Sequence, residues 1–553
     1  MFTRFSFPRL HRFSVLLCLA PLAPAFATDS VTYTGSVVRD YQYAQAPAMQ
    51  MPTSVAVSTD GTVAVADGVN HRILLFPSAG GSAQIIDTIG EERLTDPLNM
   101  RFDSAGRLWI ADTGQKRVVV RAVDGSLDRI ITLDAPADGH PFNPTGVIPI
   151  GDGQQAWIVD NDSHRILRWD ARTQPADFIT LGKQGSALGQ FYYPFMAALD
   201  SEGRLYVTDA LNGRVQSISS AGRAVGIISS YGVEPGQLYR PKGVAVDADG
   251  HIWVSDSVTG VVQVFERTGA FLGVLRDAAD RPMKFAAPMG LAFGPDGNLF
   301  VTESLADRVR EVKIATQPRP RELPRPGRAR VVPGAGQAPA CTICHIEWLP
   351  ALADNASTPI MSLPEHGPDH PVVSQSDMCY SCHDGSVVDS RRRVWREHGH
   401  RTGIVPPAGM TVPKALPLVD GKIACRTCHS AHAGGQQNQS LADVVFVRVE
   451  RGAGELCISC HGDKAMGPAA GAHPVGGMPW PVPEELIKEG AKVGTNPREL
   501  TCYVCHMPHG SQEHHLLVMG TESSQLCLTC HAKLRPGLWR PDLPREHPQN
   551  PPL

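Results

Sequence analysis

The chain has 553 residues, 19% of them charged, and a formal net charge of −4. That length accommodates two or more domains. The near-neutral balance excludes a nucleic-acid partner argued from charge. No apolar run beyond residue 27 reaches the ~20 residues of a membrane-spanning helix. Histidine divides the chain: five of 21 precede Cys341 and 16 follow it. Twelve of the thirteen cysteines lie at or after Cys341.

Residues 1–27 read as a secretory signal. Arg4, Arg9 and Arg12 form a positive n-region, Ser14 to Ala20 a short apolar core, and Ala25-Phe26-Ala27 a small-x-small cleavage site. Cys18 would leave with the peptide. Leu17 before it is not the small residue a lipoprotein site requires. The expectation is an exported, periplasmic or extracellular protein without a transmembrane segment.

Residues 28–315 contain six similar segments. Each starts near a proline (Pro52, Pro97, Pro144, Pro194, Pro241, Pro288), at steps of 45, 47, 50, 47 and 47 residues. A period in this range marks a repeat architecture. The fifth segment shows the pattern: an apolar alternation after Pro241, an Asp249-Gly250 turn, a second alternation ending at Asp256, then Val261 to Phe265. That is strand, turn, strand, loop, strand. Hairpin units of this size bury little surface alone and share a core when arranged radially.

An acidic residue recurs as Asp67, Asp112, Asp160, Asp209, Asp256 and Glu303. An arginine follows five residues later at Arg72, Arg117, Arg165, Arg214 and Arg308, and Val261 breaks the series. These pairs read as framework. With the Asp-x-x-Gly-x-Leu-Trp-(Ile/Val)-x-Asp words near Asp103–Asp112 and Asp247–Asp256, the region resembles NHL-repeat proteins. The resemblance implies an all-β six-bladed propeller. Tyr33 to Asp40 resembles Phe271 to Asp277, the last strand region of repeat five, whereas repeat six lacks such a segment after Ile314. Residues 31–39 are therefore expected to complete the sixth blade and remove the free edges. Some propellers of this resemblance are lyases or metal-dependent esterases. Here His71 and His164 occupy equivalent loop positions, which suggests framework, and a fold alone does not give a function.

Residues 316–340 are dense in proline and arginine. Proline at this density favours extended polyproline II. A semi-rigid, solvated spacer is the expectation.

From residue 341 to 553 the pattern Cys-x-x-Cys-His occurs six times: Cys341/Cys344/His345, Cys379/Cys382/His383, Cys425/Cys428/His429, Cys457/Cys460/His461, Cys502/Cys505/His506 and Cys527/Cys530/His531. This is the pattern of c-type haem attachment. Each thiol forms a thioether with a haem vinyl group, and the adjacent His ligates iron. Zinc ribbons set their pairs about 15–20 residues apart and do not need a His after each pair. The expectation is six covalently bound haem c groups, with about 35 residues each. So little chain cannot build a large conventional core. A mostly coil and short-helix wrapping follows, with haems close together.

Ten further histidines remain in this half. His366, His370, His398, His400, His432, His473, His509 and His547 are the distal candidates, and His514 and His515 have the weaker case. His432 and His509 each stand three residues after a motif His. Met466, Met478 and Met519 offer the other common axial donor. The half resembles multihaem cytochromes with doubled Cys-x-x-Cys-His motifs, in the style of the cytochrome c3 class. The words are Met378 to Gly385, Cys425 to His432, Leu456 to His461 and Ala472 to Gly476. The resemblance implies bis-His, low-potential haems in electron transfer. The first motif departs, because no His stands three residues after His345.

The expected whole is multidomain: a signal peptide at 1–27, a propeller at 28–315, a linker at 316–340 and a hexahaem domain at 341–553. Its expected role is electron transfer with no catalytic residues, and its partners are redox proteins or a larger assembly docked on the propeller. The alternatives are a multihaem oxidoreductase with one open haem acting on a small molecule, or a subunit of an extracellular electron conduit or haem filament.

Overall fold

A computed structural model of the chain describes residues 30–133, 141–173, 177–319, 375–391, 403–414, 416–429, 455–462, 476–478, 480–489, 491–493, 496–507, 509, 517–519 and 525–530. Residues 30–319 form six four-stranded antiparallel sheets around one axis. Blade one comprises Ser54–Val57, Val63–Asp67, Arg72–Phe76 and Gln84–Ile86. The inner strands of blades two to six start at Pro97, Pro144, Pro194, Pro241 and Pro288. Proline suits the first position of a strand, where no ladder amide is required of it.

The ring closes as the sequence suggests. Ser30–Tyr41 is the outer strand of blade six, antiparallel to Arg308–Arg319, in a register that runs from Ser30↔Arg319 to Tyr41↔Val309. The strand thus continues to Arg319, into the segment read as linker. Tyr33 is buried with its ring edge-on to Trp253 of blade five, at 5.2 Å. Hydroxyls join successive blades: Thr53 donates to the Leu98 carbonyl at 2.8 Å, Thr145 to that of Phe195 at 2.9 Å, and Ser304 to that of Pro52 at 2.6 Å.

The recurring ion pairs are framework. Arg Nε to carboxylate distances are 2.8, 2.7, 2.7, 2.8 and 2.8 Å for Asp67–Arg72, Asp112–Arg117, Asp160–Arg165, Asp209–Arg214 and Glu303–Arg308. Each acid also accepts the backbone N–H of the residue 17 positions earlier, from Gln50, Thr95, Asn143, Tyr192 and Ala286. One buried side chain thereby fixes both its own hairpin and the incoming loop. In blade five, with Val261 in place of arginine, Asp256 accepts four amides instead, from Tyr239, Arg240, Val258 and Thr259.

The described part of the C-terminal half is short helices and coil: Gln375–His383, Cys425–Cys428, Glu455–Ile458, Glu484–Lys488, Cys502–Cys505 and Gln525–Cys530. Its apolar cluster is small, centred on Val482, Leu486, Leu500, Val504 and Val518. Among the described residues no helix is long and apolar enough to cross a membrane.

Candidate haem sites

Five of the six motifs fall wholly or partly on described residues, and all five start on a helical turn. Residues three apart on a helix share a face, so in the second, third and fifth motifs the turn presents its two cysteines to one side. In three motifs the turn ends alike. The His429 amide donates to the Cys425 carbonyl at 3.0 Å, His461 to Cys457 at 2.8 Å, and His506 to Cys502 at 2.9 Å. His429 and His506 then leave the helix in extended conformation, with φ/ψ of −110°/150° and −117°/140°. The imidazole is carried off the helix while the thiols stay on it.

The motifs converge. The turn at Cys425–Cys428 packs against the helix at Gln375–His383. The Cys457 thiol is pushed up to about 11, first by burial and then by Cys502 and Cys428 beside it. Cys505 and Cys530 both lie against the Val504–Val518 cluster, together with Met478, Met507 and Met519.

The decisive apposition is between two of these segments. Nε2 of His429, in the third motif, lies 3.4 Å from Nε2 of His509, after the fifth motif. Their rings are 5.7 Å apart between centroids and inclined by 21°. Two metal–imidazole bonds in line span about 4 Å. The donor pair would therefore hold one iron between them if the two nitrogens moved apart by about 0.6–0.8 Å. In sequence His509 stands in frame with its own motif's His506, but the fold turns it toward another motif.

A second observation concerns the nitrogen away from the metal. His383 Nδ1 lies 2.9 Å from Ser390 Oγ. Such a partner fixes the ring and would leave Nε2 to hold an iron. Cys341, Cys344, His345, His531 and the distal candidates His366, His370, His398, His400, His432, His473 and His547 lie outside the described residues. Cys527 falls on the helix Gln525–Cys530, and Cys379 and Cys382 on Gln375–His383.

The model of the NHL repeat matches residues 49–76 and 238–265. The model of the doubled CXXCH motif matches residues 417–466 and 496–536. The chain joins an NHL-repeat propeller to doubled CXXCH motifs. These motifs indicate covalent binding of haem c. Among solved structures, a streptogramin B lyase is similar over 52% of this chain and 98% of its own, at 14% identity and a TM-score of 0.39. A gluconolactonase from Xanthomonas campestris is similar over 52% and 97%, at 16% identity and a TM-score of 0.38. Virginiamycin B lyase from Staphylococcus aureus is similar over 53% and 90%, at 16% identity and a TM-score of 0.36. Those activities are not carried to this chain.

Sequence reasoning missed one residue that the structure makes central. Lys242 follows Pro241, where the other repeats place Thr53, Leu98, Thr145, Phe195 and Met289. A single charge in an otherwise uncharged register was the available signal. Lys242 is fully buried, and its partners come from beside the second haem motif.

Proposed function

We propose that this protein is an exported hexahaem c-type cytochrome that carries electrons along a chain of bis-His haems. The cysteine pairs of the six motifs hold the haems, and His345, His383, His429, His461, His506 and His531 are the proximal ligands. His509 is the distal ligand opposite His429. His366, His370, His398, His400, His432, His473 and His547 supply the others. A covalently held haem supplies a reversible one-electron couple.

The apposition of His429 and His509 carries this reading. With haem bound, His429 and His509 would both hold the iron and leave no room for a small substrate there, so the site would pass electrons without turnover. The convergence of the third, fourth and fifth motifs supports short hops between neighbours. The Val504–Val518 cluster lies against Cys505 and Cys530 and would give the haems they hold an apolar wall. Redox proteins, or a larger electron-transfer assembly, are the partners.

Carbon monoxide added to the fully reduced protein tests the reading. The parent should show little or no spectral change. His509→Ala should open one site and bind about one carbon monoxide per protein, with six haems still attached. An H509A protein that keeps six haems and binds none would refute the assignment. Stoichiometric binding by the parent would favour an oxidoreductase with an open haem.

A further inference from the structure

The residues that follow the second motif form a tight hairpin. Asp384 Oδ1 accepts from the Ser386 amide at 3.0 Å and from its hydroxyl at 2.7 Å. Gly385 turns the chain at φ +97°. The Val388 amide returns to the Cys382 carbonyl at 3.0 Å, and that of Ser390 to His383 at 3.3 Å. Arg391 is held by Asp389 at 3.0 and 2.6 Å.

This hairpin sits on the axis of the propeller, at the face where the inner strands begin. Four blades touch it, and a fifth packs against the lysine that holds it. From blade five, Lys242 Nζ donates to the Ser381 carbonyl at 2.6 Å, pairs with Asp384 Oδ2 at 2.9 Å and bonds the Ser386 hydroxyl. From blade three, Asn161 Nδ2 donates to the Ser386 carbonyl at 3.0 Å. Blade four places the Phe195 ring 5.7 Å from Lys242 Nζ. A Cβ built on Gly385 would lie 3.1 Å from Leu98 of blade two, and one on Gly68 of blade one 3.2 Å from the Arg391 guanidinium. Beneath lies a buried apolar floor of Leu98, Phe195, Met196, Ala210 and Met289.

An ammonium has three protons, and Lys242's acceptors, Ser381, Asp384 and Ser386, all belong to the C-terminal half. A lysine is almost never fully buried unless paired. The pairing spans 142 residues of sequence and is charge-assisted on both sides.

We propose that the propeller's axial mouth is the receptor for the haem half of its own chain, and that residues 384–391 are the plug that locks the second haem motif onto the ring. The haem-bearing half is thereby held in a fixed position over the axis. The same hairpin carries Ser390, so the part that enters the ring also holds the proximal ligand His383. The proposal rests on the contacts of the hairpin and stands whether or not the haems form a complete wire.

The test uses the full, haem-loaded chain with a protease recognition sequence inserted between Gly334 and Ala335. After cleavage the two halves of the parent should elute as one species. Lys242→Met leaves Asp384 buried without its partner and should weaken association at least about a hundredfold, enough to separate the halves at micromolar concentration. Asp384→Asn should do the same while leaving every propeller residue untouched, so separation cannot be ascribed to a misfolded ring. The double variant should lose less than the two single losses multiplied, as residues in contact do. Parent halves that separate on cleavage, or a K242M protein that behaves as the parent, would overturn the proposal. The readout is elution and mass, so a failed iron-ligand assignment would leave it unaffected.

Discussion

Asp209→Asn is the sharpest probe of the ring, because blade five supplies an internal control. Asp209 is fully buried and accepts from the Tyr192 amide at 2.7 Å, Asn212 at 2.9 Å, Arg214 Nε at 2.8 Å and Gln216 at 3.0 Å. The amide isostere keeps one acceptor oxygen but removes the charge opposite Arg214, whose side chain is only 8% exposed. Removing one partner of a buried pair costs about 3–5 kcal/mol. Arg214 keeps bonds to the carbonyls of Ser186, Ala187 and Gln190, so the lower end, about 3 kcal/mol, applies. For a domain of this size that is a fall in Tm of roughly 6–12 °C. In blade five Asp256 faces four amides and has Val261 where the others have arginine. Asp256→Asn then weakens charge-assisted hydrogen bonds to neutral ones, a loss of about 1–2 kcal/mol. Thermal melts of the full-length variants, followed in the far-ultraviolet where the sheet dominates, should rank D209N clearly below D256N. Equal losses would show that the arginines add nothing beyond what the amides already provide.

Other outcomes follow from the same geometry. The intact mass of the mature protein from a host competent in haem attachment should correspond to six haems on a chain starting at Thr28, and a stable product with fewer would contradict the count. Deleting residues 28–40 should lower the melting temperature of the propeller, because Tyr33 and Gly35 leave the seam between blades five and six; an unchanged melt would refute closure by that strand. Ser390→Ala should move the midpoint potential or the low-spin resonance of one haem and leave the others in place, since that hydroxyl bonds the ring of His383; a uniform shift or none would remove Ser390 as a positioning residue.

The periodic parts of this protein were readable from sequence. Repeated prolines, Asp-Gly turns and acid–arginine spacing recur because every blade solves the same packing problem, so each repeat reinforces the others. Closure was readable for the same reason: Tyr33 to Asp40 supplies a strand that the sixth repeat lacks. The haem motifs were readable because covalent attachment fixes both residue type and spacing. Contacts made only once were not. Nothing near His509 in the chain points to His429, 80 residues earlier, since an axial partner is chosen by the fold and not by local spacing. The pairing of Lys242 with Asp384 is of the same kind. Its only trace is a charge in a register where the five equivalent positions carry none, and that signal says a partner exists without saying where.

Blade six has a consequence for how the chain reaches its native state. Its outer strand is synthesised well before the strand it pairs with, which ends at Arg319. From the time Ser30–Tyr41 emerges until residues 308–319 arrive, its hydrogen-bonding edge has no native partner. Pairing across some 270 residues is slow, because a long loop must close before any contact rewards it. An unpaired strand edge is also a template for association with other chains. The ring therefore completes late and all at once, and the axial mouth that receives the hairpin at 384–391 exists only after that event. Propeller closure thus sets the order of assembly: the second haem motif can be seated only after the ring has closed.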